Sequence, residues 1–314
     1  MPFEVEVQSV DFSAAPAASH VFTLPDGHTI ARLWGGENIA YATGPLHIAI
    51  GVGDVFDEGA AHYLKSVGRN ENWPNVSTAS TLLNWNDLTT STNYTAHIWN
   101  MNTLAPVCAW GTGFDPYSID PWYATGMRQS AAKTYNQIKV HAGATITGGV
   151  LYCISYKRTT TVTVRTAPEL EEILTGITKA NGMIMVAALN CTFGTAQTAG
   201  QLRLSTGGVI QEAASDYLRN QVGSNLRDEC MLENAMNVGA SSTDASGFAL
   251  VSGMMETAVP SLLIGSSMLS GGASGLSLFQ HKSWIDAVEE NDEVVSVQSA
   301  DFASGDIYFV EYTV

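Results

Sequence analysis

Apolar and polar positions alternate with a period of two from the first residues of the chain: MPFEVEVQ sets Val5 and Val7 against Glu4 and Glu6. LHIAIGV repeats the pattern, with Leu46, Ile48, Ile50 and Val52 against His47, Ala49 and Gly51, and QLRLS and TVTV are shorter examples. A β-strand sends successive side chains to opposite faces. Such runs, separated by turn clusters such as LPDG, GGEN and TGG, therefore predict antiparallel β-sandwiches. Two segments depart from this period. After Thr166, PELEEILTGITKA places Leu170, Ile173, Leu174 and Ile177 at i, i+3, i+4 and i+7, with Thr166 and Glu169 at capping-box spacing, which predicts a short amphipathic helix. QEAASDYLRNQV, residues 211–222, is a second helix candidate through Ala214, Tyr217, Leu218 and Val222.

The alternation also repeats on a larger scale. ITGGVLYCISYK at 146–157 and FASGDIYFVEYT at 302–313 both run through a small-residue turn, ending in Gly149 or Gly305, into a strand with two tyrosines. Upstream, the Val5/Val7 pair is matched by Val162/Val164 in TTTVTVRT. The two anchors are offset by 156 and 157 residues, half the chain. Two anchors with one spacing predict an internal duplication, with copies at 1–158 and 159–314, each of ordinary domain size. The fold expected is all-β: two tandem jelly-roll-like sandwiches, with one or two short helices in the second. Period two puts Tyr152, Ile154 and Tyr156 on one face and Tyr308, Val310 and Tyr312 on its counterpart, and that face is expected to be the core. The centres match least well; the pairing read there sets STLLNWNDL against GFALVSGMM and YTAHIW against LLIGSSM.

Composition narrows the partners. Apolar residues make up 45% of the chain and charged ones only 14%, which suits a packed globular protein with extended sheets. The net charge of −16 with only 14 Lys and Arg argues against nucleic acid and anionic membranes. Most of the acidity falls in the second half, which holds 6 basic and 18 acidic side chains against 8 and 12 in the first; its simplest role is solubility. No apolar run is long enough for a transmembrane helix, and the strand-like start predicts no signal peptide, hence synthesis in the cytoplasm.

Few residues form a reactive constellation. Cys108, Cys153, Cys191 and Cys230 never approach a CxxC spacing, and seven histidines stand singly, so no metal or cofactor is expected. Neither GxSxG nor a phosphate loop occurs. Asp54, Asp57 and Glu58 in DVFDEG lack the alternating oxygen ligands of a calcium loop and read as a solvated turn. No catalytic residue is assigned; the chain is expected not to be an enzyme. One segment stands out: WGTGFDPYSIDPWY at 110–123 concentrates Trp110, Phe114, Tyr117, Trp122 and Tyr123 around Asp115 and Asp120 and reads as an aromatic loop. Aromatic faces cover pyranose rings and carboxylates accept hydroxyl hydrogen bonds, so these seven residues are candidates for glycan recognition or for subunit contact.

The closing pattern IKVHAGATITGGVLYCISY, echoed by VSVQSADFASGDIYFVEY, resembles the final strands of β-sandwich domains in virion proteins of tailed bacteriophages. The resemblance covers about 20 residues in each copy. It implies a non-enzymatic virion structural protein that packs against itself, most simply as a trimer, and against other virion proteins. No heptad stalk or collagen-like tract accompanies it, so a compact capsid decoration or tail-associated component is implied rather than a thin fibre. A carbohydrate-binding adhesin acting on a host-surface glycan through residues 110–123 is the alternative.

Overall fold

A computed structural model of the chain describes residues 4–35, 39–41, 46–59, 62–69, 77–79, 81–85, 91–114, 121–131, 133–166, 169, 171–178, 182–197, 200–212, 217–223, 227–232, 236–237, 242–256, 261–270, 277–285, 290–298 and 302–313. Among these residues every regular element is a strand, and the strands pair antiparallel. The chain divides into two units, Met1–Thr159 and Thr160–Val314.

In the first unit the larger sheet runs in the order β1 (Val5–Asp11), β14 (Val150–Lys157), β3 (His28–Gly35), β10 (Ser91–Trp99), β11 (Cys108–Phe114), β12 (Pro121–Arg128), β7 (Tyr63–Arg69) and β8 (Ser77–Ala79). The second sheet runs β2 (Ala17–Thr23), β13 (Gln137–Gly148), β5 (Leu46–Val52) and β6 (Val55–Phe56). There β9 (Leu83–Trp85) also pairs with β5, and β4 (Ile39–Tyr41) joins β13 to β10. Leu33, Ala96, Ala109 and Cys153 from the larger sheet and Phe22, Ile48, Ile50, Ile138 and Val140 from the smaller one belong to a single buried cluster. The two sheets therefore face each other across the core, as alternating strands require when one face of each is apolar.

Apart from β4, which has no counterpart among its described strands, the second unit shows the same order. Its larger sheet runs β15 (Thr159–Thr166), β27 (Phe302–Thr313), β17 (Met183–Gln197), β23 (Ser242–Ser252), β24 (Leu262–Ser270), β25 (Ser277–Ile285), β20 (Tyr217–Gly223) and β21 (Arg227–Leu232). The smaller one runs β16 (Glu171–Leu174), β26 (Glu293–Gln298), β18 (Gly200–Thr206) and β19 (Val209–Ile210), with β22 (Met236–Asn237) on β18. Registers agree as well as order. Trp34 opposes Tyr152 as Ala187 opposes Tyr308, and His97 opposes Arg32 as Leu250 opposes Met185. The β5–β6 turn puts Gly53 and Asp54 at φ 57° and 62°, and the β18–β19 turn puts Gly207 and Gly208 at 59° and 80°, both using the left-handed pair that a two-residue hairpin needs. Irregular backbone bonds recur too: Asn102 N to Tyr135 O (2.8 Å) with Met255 N to Asn291 O (3.2 Å), and Asn136 N to Gly51 O (3.2 Å) with Asp292 N to Ser205 O (3.1 Å).

One ion pair recurs with its cation moved. Lys139 on β13 binds Glu58, just past the first turn, at 2.8 Å; Glu212, just past the second turn, is bound instead by Arg203 on β18. Lys139 opposes Ala49, and Arg203 opposes Val295. The two cations thus stand on different strands, at cross-strand positions beside glutamates that follow matching turns.

Several expectations need correction. Neither helix forms: Glu171–Leu174 is strand β16 on β26, and Tyr217–Gly223 is strand β20 between β21 and β25. The apolar spacing in 170–177 lasts barely two turns, and Gly176 at φ 78° ends it, so pairing with Val294–Val297 outweighs a weak helical preference. The core face of the first closing strand was assigned to the wrong parity, while in the second strand both parities are buried. Leu151 and Cys153 enter the first core and Ile307 and Phe309 the second, while Tyr152, Ile154 and Tyr156 lie half-buried on the opposite face. Both faces of these strands are apolar, and period two alone cannot rank them. Tyr308, Val310 and Tyr312 are nevertheless buried, on the other side of β27 from Ile307 and Phe309. In the centres, strand order sets YTAHIW against GFALVS and CAWGTGF against LLIGSSM, one element away from the sequence pairing.

Gly149 immediately precedes β14 at φ 87°, and Gly305 lies near the start of β27 at φ 109°. A Cβ on Gly305 would stand 2.5 Å from Cys191 Cα and 2.7 Å from Asn190 O. Gly305→Ala is accordingly expected to lower stability by about 1–3 kcal/mol, read as a shift in denaturation midpoint at unchanged m-value. An unshifted midpoint would count against the packing of this turn.

Candidate functional site

Outside its core, the first unit carries an aromatic face. On the larger sheet, residues of opposite parity to the core positions Ala31, Leu33, Ala96 and Ala109 point away from the sandwich. One rung across β1, β14, β3, β10 and β11 reads Val7, Ile154, Arg32, His97, Trp110, and the next reads Ser9, Tyr152, Trp34, Thr95, Thr112. Val7 is 60% exposed and Trp34 44%. The Trp34 and Tyr152 rings, a cross-strand pair, stack with centroids 5.5 Å apart and planes 28° apart. His97 stacks on Trp99 at 5.9 Å. Burial and the adjacent Arg32 charge hold the His97 imidazole below its usual pKa, so it stays neutral at pH 7. Arg32 is the single residue with a formal charge on these two rungs, and its Nε is buried without a hydrogen-bond partner among the described residues.

The matching positions of the second unit are aliphatic. Arg32, Trp34, His97 and Trp110 correspond in register to Met185, Ala187, Leu250 and Ile264, and Met185 and Ala187 are fully buried. The two units thus share a framework and differ in what this face offers.

Of the seven residues singled out in the sequence, Trp110 alone has a described side chain, half-buried in β11 opposite His97 and Thr125. Phe114 ends β11, and Trp122 and Tyr123 stand in β12 opposite Gly113 and Thr112; their backbone positions are described and their side chains are not. Asp115, Tyr117 and Asp120 lie outside the described residues. The segment is therefore not the continuous loop expected: its ends are paired strands. Glycines at 111 and 113 hid the alternation, since they leave one face of β11 without side chains. Trp34 and Arg32 were missed, although HTIARLWG shows the signal: one parity is Ala31 and Leu33, and the other holds Ile30, Arg32 and Trp34.

A second polar cluster lies at the end of the first sandwich. Asp57, read as solvated, is 7% exposed. Its Oδ2 accepts bonds from Arg128 Nε (3.0 Å) and Tyr135 OH (2.5 Å) and lies 3.0 Å from Arg128 Nη2. Lys133 Nζ stands 3.7 Å from the other oxygen, and Arg128 Nη1 donates to the His62 carbonyl at 2.8 Å. Desolvation would raise the Asp57 pKa, but the Tyr135 hydroxyl and the Arg128 charge outweigh it and hold the carboxyl below its ordinary value. Burial and the hydrogen bond to Asp57 push the Tyr135 phenol up to about 12. Such a network of paired charges and hydrogen bonds holds this end of the sandwich together. Cys108, Cys153 and Cys191 are buried and form no disulfide, and burial raises all three thiols, which makes them poor nucleophiles. Among the described residues no group of three or more His, Cys, Asp and Glu side chains could hold a metal ion, and no helix is long and apolar enough to cross a membrane.

No protein-family model matches the chain, and no curated protein does. Among solved structures, the PBSX exported protein XepA is 10% identical over 99% of this chain and 86% of its own, with a TM-score of 0.21. The major capsid protein P2 of bacteriophage PM2 is 8% identical over 98% of both chains, with a TM-score of 0.18. Both likenesses are too weak to carry an argument about fold or function.

Proposed function

We propose that this chain is a non-enzymatic structural protein of a tailed-bacteriophage virion, an outer capsid decoration or compact tail-associated component that acts by packing. In this reading it consists of two jelly-roll-like sandwiches derived from one by duplication. The repetition of strand order and register through both units supports the duplication, with the relocated Lys139/Arg203 cation as its most specific detail. A mutation that removed one cation and a second that restored it from the neighbouring strand give that pattern; independent origins would have no reason to. The virion assignment rests on the resemblance of the two closing strands. Low charge, and valines left exposed at 5, 7 and 164, suit a protein that is covered by neighbours, first among them copies of itself as a trimer. The decisive experiment is cryo-electron microscopy of the source particle with this protein labelled; absence from head and tail would end the proposal. For the trimer, light scattering at micromolar concentration is expected to return three times the 33.4 kDa of the chain. A monomer mass would refute self-assembly in solution.

A second reading, a carbohydrate-binding adhesin, is favoured by one specific observation: the exposed Trp34 stacked on Tyr152. It moves the sugar contact from residues 110–123 as a whole to the outer sheet face, of which Trp110 is a part.

A further inference from the structure

The geometry points to a binding platform for a carboxylate-bearing sugar on the outer face of the first unit's larger sheet, with Trp34 and Tyr152 under the pyranose ring and Arg32 on the carboxylate. This rests on the glycan reading above and names the class of sugar. The fold does not need these side chains. In the second unit the residue opposite the equivalent tyrosine, Tyr308, is Ala187, and the residue opposite Val310 is Met185, so the same ladder closes with alanine and methionine. Trp34 leaves a large indole partly in water, whereas Ala187 at the matching position is buried, so this face of the first unit is exposed where its counterpart is not.

Arg32 adds the second half of the argument. Its Nε is buried and donates to nothing among the described residues, while the side chain as a whole is only half-buried, so the guanidinium is unpaired on this face and part of it is open to an acceptor from solvent. A carboxylate is the acceptor that fits a guanidinium best, through two parallel charge-assisted bonds. An aromatic surface beside it covers the apolar C–H face of a sugar ring. Ser9, Thr95 and Thr112 stand on the same rung as Trp34 and Tyr152, where hydroxyls suit the ring's own hydroxyl groups. Neutral sugars would use the aromatic pair and leave Arg32 idle. The partner of this face is thus a uronic-acid-type unit, with Arg32 as the one formal charge on these two rungs.

The test uses the full chain with tetragalacturonate and with its methyl ester, the same ring without the charge. A short oligomer avoids the repulsion that the net charge would exert on a long polyanion. Binding is read by calorimetry and by tryptophan fluorescence. Arg32→Met and Trp34→Ala install the residues that the second unit carries at these positions. Wild-type protein is expected to bind the acid about tenfold more tightly than the ester, with Arg32→Met reducing the acid to the level of the ester. Trp34→Ala is expected to abolish binding of both at an unchanged melting temperature. If either variant misfolds, Arg32→Gln and Trp34→Phe replace it, and the first should again lose the preference for acid over ester. Equal binding of acid and ester, or wild-type affinity in Arg32→Met, overturns the carboxylate assignment and leaves the glycan reading standing. Binding of neither probe by wild-type protein overturns both.

Discussion

Removal of residues 307–314 is expected to unfold the second unit. Ile307, Tyr308, Phe309, Val310 and Tyr312 are all buried, and β27 lies between β15 and β17, so the truncation takes side chains from both faces and leaves two strands without their partner. Each large apolar side chain contributes about 1.5–3 kcal/mol by burial. Together they approach the whole stability of a typical domain, about 5–15 kcal/mol. Hydrogen exchange would show it: amides of β17, protected by β27 in the intact chain, should exchange at rates close to those of an unfolded peptide. Native protection of Met183–Leu189 in the truncated protein would mean that β27 is an accessory strand.

Asp57→Ala is the single substitution expected to do most harm in the first unit. It leaves the Arg128 guanidinium, with 10% of its side chain exposed, without its carboxylate and the Tyr135 hydroxyl without its acceptor. Breaking a buried pair from one side costs about 3–5 kcal/mol, more than removing both partners. The second unit suggests the gentler exchange. Gln211, Ile285 and Asn291 occupy the positions of Asp57, Arg128 and Tyr135, as the matching bonds of Asp57 N to Ile50 O (3.0 Å) and Gln211 N to Leu204 O (2.9 Å) show for the first of them. The double variant Asp57→Gln, Arg128→Ile, which keeps the buried Tyr135 ring in place, should therefore lose less stability than Asp57→Ala alone. Chemical denaturation of the two would decide, and the opposite ranking would refute the account of the network.

The same cluster fixes a pH dependence. The folded-state pKa of Asp57 is depressed, so its contribution is complete above the ordinary aspartate range, near pH 4, and is lost as pH falls through the lower folded value. Wild-type and Asp57→Ala denaturation midpoints should differ most at neutral pH and converge in acid. A difference that stayed constant to pH 2 would exclude the ion pair as its cause.

The sequence by itself determined that the chain is all-β and where its closing strands lie, because period two and small-residue turns are local properties that few other structures satisfy. Gly149 and Gly305, the alternation of Leu46, Ile48 and Ile50, and the halving of the chain were all legible without coordinates. Tertiary structure decided which side of each strand meets the core. ITGGVLYCISYK is apolar on both faces, and only the facing sheet selects Leu151 and Cys153 over Tyr152 and Tyr156. It decided against two helices, since β16 and β20 gain more from ladders with strands far away in sequence than from one or two helical turns. It buried Asp57 by bringing up Arg128 and Tyr135, 71 and 78 residues away. And it assembled Arg32, Trp34, Tyr152, His97 and Trp110 on adjacent rungs, a juxtaposition set by strand register, which sequence spacing does not encode.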